Sequence, residues 1–161
     1  MTDDPPFIKF VRVGLSLLAN PSQIPIYLST LHRKPIDVGL PWINLNAICF
    51  LEKFLRADMI VFEYGSGGST IFFAKRCRHI VSIEDNREWV LTVCNKLHRL
   101  CLTNTSIQFH DAGSVYSSSS AQFRESSYLH AIDELDPDVV LIDGADEWQA
   151  YGRESYQTRR S

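Results

Sequence analysis

Met59-Ile60-Val61-Phe62-Glu63-Tyr64-Gly65-Ser66-Gly67-Gly68-Ser69-Thr70 joins a short apolar run to an acidic residue and then to a glycine-rich turn. The apolar run Met59 to Phe62 suits a strand buried on both faces. The turn opens a helix expected from about Ser69 to Arg76. His79 to Ile83 follows as a second buried strand and runs into Glu84, about twenty residues past Glu63. A strand, a glycine turn, a helix and a second strand ending in a carboxylate place a nucleoside-containing cofactor at the carboxyl edge of a parallel sheet.

The pattern continues on both sides of this unit. Leu45 to Leu55 carries its apolar residues at helical spacing, with Asn44 as the expected N-cap. Phe7 to Leu18 reads as an earlier helix, ended by Asn20-Pro21. The proline-bearing residues from Ser22 to Pro41 read as connecting structure, with a short helix around Tyr27 to Leu31. Arg87 to Cys101 is amphipathic, and Ser106 to His110 is a third strand. Ala112 to Ser127 is polar and serine-rich, Tyr128 to Glu134 reads as helical, and Asp138 to Ile142 is a fourth strand ending at Asp143-Gly144. Strands alternating with helices imply an α/β fold with a parallel sheet and right-handed crossovers.

The chemistry collects at the strand ends. Gly65 allows a sharp exit from the first strand, and Gly67 and Gly68 remove β-carbons that would hold a ligand away from the backbone. The helix that follows, preceded by Ser66, presents N–H groups suited to a carboxylate or phosphate. Glu63 is expected to face the same crevice, where a negative charge suits an ammonium group. Glu84 can accept both hydroxyl protons of a ribose. Asp111 ends the third strand, where a polar side chain could meet an adenine edge, and Asp143 ends the fourth. Against these roles stands plain structure: glycine-rich turns are often only turns, and acids after strands commonly cap the next helix.

These residues resemble the class I S-adenosylmethionine-dependent methyltransferases. Their first motif, (Asp or Glu)-x-Gly-x-Gly, is matched by Glu63, Gly65 and Gly67, and Val81-Ser82-Ile83-Glu84-Asp85-Asn86 is similar to their second strand with its ribose-binding acid. Gly39-Leu40-Pro41-Trp42 is similar to the segment before the first motif. The resemblance covers about Leu40 to Gly144. It implies a Rossmann-like parallel sheet with strand order 3-2-1-4 and helices on both faces. It further implies S-adenosylmethionine as cofactor. Glu63 and Gly65, Ser66, Gly67 and Gly68 would hold the methionine portion, Glu84 the ribose, and Asp111 with Ala112 the adenine. Asp143 would lie near the methyl group, and is the weak catalytic candidate. Asp146 and His110 are candidates for a general base by position only. The chain would divide into a helical and connecting segment at 1–41, a partial cofactor-binding domain at 42–144 and a polar tail at 145–161.

A nicotinamide-dependent oxidoreductase is the nearest competitor, since NAD sites also place an acid at the position of Glu84. The dinucleotide pattern, however, wants a third glycine where this chain has Thr70. The resemblance also implies seven strands, and only four are legible here: no apolar run of strand length follows Gly144. The favoured expectation is a truncated or frame-shifted product. A fragment of a longer protein, or association through the open edge of the fourth strand, are the alternatives. Cofactor affinity is therefore expected and turnover is not, and a non-catalytic interaction protein keeping a degenerate cofactor fold stays open.

Composition adds bounds. The chain has 161 residues, 45% of them hydrophobic, and a formal net charge of −3. That size suits one core, and that charge argues against an overall basic nucleic-acid surface. Arg76 with Arg78, and Arg159 with Arg160, are the local basic clusters. The four cysteines, Cys49, Cys77, Cys94 and Cys101, form no metal-ligand pattern. Cys94 and Cys101 are expected on the buried face of their helix with Val90, Val93 and Leu97, as free thiols in a reducing compartment. The acidic start Met1 to Pro6 does not read as a signal peptide, and Phe7 to Leu18 is too short and charged to span a bilayer. No membrane or metal is expected, and the cytoplasm is the expected address.

Overall fold

The computed structural model describes residues 14–15, 17–19, 21–30, 33–111, 125–133 and 135–142. Four parallel strands, β1 (Ile60–Tyr64), β2 (His79–Glu84), β3 (Thr105–Phe109) and β4 (Val139–Ile142), form one sheet in the order β3-β2-β1-β4. The chain walks outward from β1 through β2 to β3, then returns to the other side of β1. That reversal is the switch point beside which open α/β sheets bind ligands, and the glycine turn leaves β1 at this point. β1 runs further than its apolar stretch suggests, because Glu63 and Tyr64 stay in register with Ser82 and Ile83 of β2.

Five helices belong to the described residues: α1 (Ile24–Thr30), α2 (Pro35–Val38), α3 (Leu45–Phe54), α4 (Gly68–Ala74) and α5 (Arg87–Arg99). α1 and α2 replace the expected connecting structure. Prolines 25 and 35 sit in the first turns of these helices, where the missing N–H costs nothing, so they start helices rather than prevent them. Asn44 caps α3 by accepting from Ala47 N at 2.8 Å, and Asn86 caps α5 by accepting from Trp89 N at 3.0 Å. Residues 14–15 and 17–19 are helical, within or beside the expected first helix. Tyr128 to Glu134 yields a 3-10 turn, Leu129–Ile132.

Alternation along the strands sorts two packed faces. Val61 and Ile80 meet Ile48 of α3 and Phe72, Phe73 and Ala74 of α4, while α5 packs Val93 and Leu97 beside Ile71, with Ile107 of β3 against them. The opposite face carries Phe62, Tyr64, Val81 and Ile83 under Tyr128 and the 3-10 turn. Tyr64 donates its hydroxyl to Leu129 O at 2.7 Å, and burial pushes that phenol up to about 12, so it remains a donor.

Two expectations fail on this framework. Cys94 is exposed, and so is Cys101, which lies beyond the end of α5 with φ 55°. Helical spacing put both near the Val93–Leu97 stripe, but the stripe is narrow and α5 stops at Arg99. β4, apolar throughout, looks central in sequence, yet Val140 is 44% and Ile142 59% exposed. Among the described residues its outer edge pairs with no strand.

Candidate functional site

Glu84, at the carboxyl end of β2, closes onto the glycine turn after β1. Its Oε2 accepts from Ser66 N at 2.9 Å and from Ser66 Oγ at 2.7 Å. Its Oε1 accepts from the backbone N–H of Asp85 at 3.2 Å and of Asn86 at 3.1 Å. The carboxylate is 6% exposed. Burial raises its pKa, against the pull of the Ser66 and Asn86 hydrogen bonds. The structure thus brings Gly65, Ser66, Gly67 and Glu84 into one place across the β1–β2 boundary, with Glu84 already accepting a hydroxyl proton there.

The turn owes its shape to two glycines with positive φ, Gly65 at 93° and Gly67 at 151°. Gly65 N continues the sheet by donating to Ile83 O at 2.7 Å. Gly67 N donates to Thr70 Oγ1 at 2.9 Å. Thr70, which stands where a dinucleotide motif wants glycine, is fully buried and donates in turn to Glu63 Oε1. A β-branched residue is therefore built into this turn rather than merely tolerated.

Glu63 does not face the crevice. It is 1% exposed, and its Oε1 also accepts from Ser82 Oγ at 2.6 Å. The parallel register sets Ser82 directly opposite Glu63, so the acid pins β1, β2 and the start of α4 together. Alternation explains the difference: a residue still inside the strand points into a sheet face, and here that face is covered by α4.

Gly68 also departs from its expected role. A β-carbon there would lie 2.2 Å from Leu40 O and 2.6 Å from Pro35 O. Its bareness admits the chain's own backbone, not a ligand. Gly67 lies beside Trp89, whose ring atoms would be 3.6 and 3.8 Å from a β-carbon. Trp89 Nε1 donates to Ser66 O at 2.8 Å. Trp89 is the residue sequence reasoning missed. The available signal was its place three residues past the N-cap Asn86, where the first turn of α5 folds back over the strand ends.

Asp111 is exposed just beyond β3, and Phe109 of β3 pairs with Glu84, so Asp111 and Glu84 share a sheet edge. The Arg87 guanidinium sits 4.4 Å from the centroid of the Phe109 ring at that edge. His110 N donates to Glu84 O at 2.9 Å, and its ring contacts Ser127 Oγ at 3.2 Å and Gln108 Oε1 at 3.3 Å. Ala112, Asp143, Asp146 and the 145–161 tail lie outside the described residues. Among the described residues no cluster of His, Cys, Asp and Glu could hold a metal ion, and no helix is long and apolar enough to cross a membrane.

No protein-family model matches this sequence, and no curated protein matches it. Solved structures do share parts of the fold. An rRNA methylase from Streptococcus thermophilus is 16% identical, with a TM-score of 0.45 over 79% of this chain and 81% of that one. A precorrin-6y C5,15-methyltransferase from Geobacter metallireducens is 17% identical, with a TM-score of 0.42 over 62% of this chain and 47% of that one. A dimethyladenosine transferase from Plasmodium falciparum is 13% identical, with a TM-score of 0.40 over 60% of this chain. This chain spans only 32% of the length of that last protein. The likeness is one of partial fold, and no residue role is carried over from it.

Proposed function

We propose that this chain binds S-adenosylmethionine at the turn Gly65 to Gly67 and belongs to a methyl-transferring protein whose acceptor is unassigned. One observation carries this reading: Glu84 and Ser66 meet at the switch-point edge, so the acid and the glycine turn share a crevice. The donor set fits the ligand, because Glu84 already accepts a hydroxyl proton where a ribose hydroxyl would offer one. In this reading Glu84 exchanges Ser66 Oγ for the ribose, Trp89 holds the Ser66 carbonyl turned away from the ligand, and the Glu63–Thr70 pair keeps the turn in shape. The bound sulfonium supplies the methyl group, and the chain contributes position and a negative field. Small-molecule, protein and RNA acceptors all remain open, the net charge of −3 notwithstanding.

Isothermal titration with S-adenosylhomocysteine tests the proposal. Heat from the folded protein is expected, lost in Gly65→Val because φ 93° strains a β-branched residue. No heat from a folded sample at high micromolar ligand overturns it. A thermal-shift panel with NAD, NADP and S-adenosylmethionine ranks the oxidoreductase alternative.

A second reading, an interaction protein that associates through β4, is favoured by the exposure of Val140 and Ile142 beside an edge that pairs with no described strand. An exposed apolar edge is a template for another chain.

A further inference from the structure

A cavity of about 480 Å³ lies between α1 and α3, away from the crevice at Glu84. Its lining is mostly apolar, with Leu40, Ile43, Leu45 and Ile48 among the walls. That volume falls within the range of small-molecule sites, which pair apolar walls with a few placed polar groups. Here the placed group is Gln23. Its side chain lines the cavity and is 3% exposed. Its Nε2 donates to Asn46 Oδ1 at 2.6 Å, and its Oε1 is buried with no hydrogen-bond partner.

A buried amide oxygen without a donor is uncommon, because it forfeits its hydration and receives nothing in exchange. Asn46 ties down one end of the amide, which holds the other end in place. We infer that this cavity is a binding site for a small apolar molecule carrying one hydrogen-bond donor, a hydroxyl or an N–H, received by Gln23 Oε1. The walls provide affinity through burial, and the acceptor selects the donor-bearing compound over its capped analogue. Pro35 and Leu40 form part of the wall, and their carbonyls abut Gly68 at the start of α4. The cavity and the glycine turn therefore lie on either side of one stretch of backbone, and the inference stands whether or not the cofactor reading does.

The probes are 2-naphthol and 2-methoxynaphthalene, which share a ring system and differ in the donor. Dissociation constants come from ligand-observed NMR titration of the full chain. The expected result is about fivefold tighter binding of 2-naphthol, the scale of one net hydrogen bond. Gln23→Met keeps the length of the side chain and removes the acceptor. It should bind the two compounds equally and melt no lower than the parent protein. Leu45→Trp fills the cavity and should weaken both. The inference is overturned by equal affinities in the parent protein, or by binding of neither compound. It is equally overturned by a preference that survives in Gln23→Met, by undiminished binding to a folded Leu45→Trp, or by displacement of 2-naphthol by S-adenosylhomocysteine, which would put the probe in the Glu84 crevice.

Discussion

Thr70 and Glu84 show how much of the turn is held by single side chains. Thr70 Oγ1 bridges Gly67 N and the buried Glu63 carboxylate. Thr70→Val keeps the shape and removes both hydrogen bonds, leaving a buried acceptor and a donor unmet. The expected loss is about 2–3 kcal/mol, read from urea denaturation; a loss within error would mean that the bridge contributes nothing. Glu84 makes a prediction about pH. Burial lifts its folded pKa above the ordinary 4.5, so the folded chain binds its proton more readily than the unfolded chain. Its contribution to stability is complete below the unfolded value and is lost as pH rises through the folded one. Glu84→Gln cannot titrate, so its stability relative to the parent should rise as pH climbs through that window. Urea midpoints for the two proteins at stepped pH check the sign, and a flat or opposite difference refutes it.

At the scale of elements, the contact of α4 with the Pro35–Leu40 segment decides how the first half of the chain meets the sheet. Gly68 permits it: two backbone carbonyls occupy the space a β-carbon would take. Neither carbonyl can swing aside as a side chain would, so Gly68→Ala must push the segment off α4. A destabilisation of about 3 kcal/mol is expected, at the upper end for overpacking, with a matching fall in Tm. If Gly68 instead served ligand approach, as the motif suggests, Gly68→Ala would leave Tm unchanged and lower only cofactor affinity. The same segment shows why sequence patterns undercounted helices here. α1 and α2 are only seven and four residues long, too short to show an apolar period, and packing rather than periodicity stabilises them.

Across the whole molecule, the sheet is unevenly covered. Three helices pack one face, while a 3-10 turn with Tyr128 covers part of the other, and Val140 and Ile142 of β4 stay exposed on it. If this edge is a contact, the chain is a dimer in size-exclusion chromatography with light scattering, and Ile142→Lys is a monomer with an unchanged melting temperature. A parent protein that runs as a monomer at every concentration removes the second reading and leaves the cofactor proposal intact.

The βαβ alternation, the parallel sheet, the caps at Asn44 and Asn86 and the convergence of Gly65 with Glu84 follow from local pattern, because strand period, cap chemistry and glycine turns are each written within a few neighbouring residues. Which way each group at the strand ends would be used does not follow from it. Glu63 turned inward because Ser82 and Thr70 arrive from sixty degrees of freedom the motif does not encode: the register of β2 and the seating of α4. Gly68 serves backbone packing for the same reason, and Cys94 and Cys101 are exposed because the neighbours that would have buried them lie elsewhere. Side-chain roles at a packed site depend on partners distant in sequence, and those are set only when the chain closes on itself.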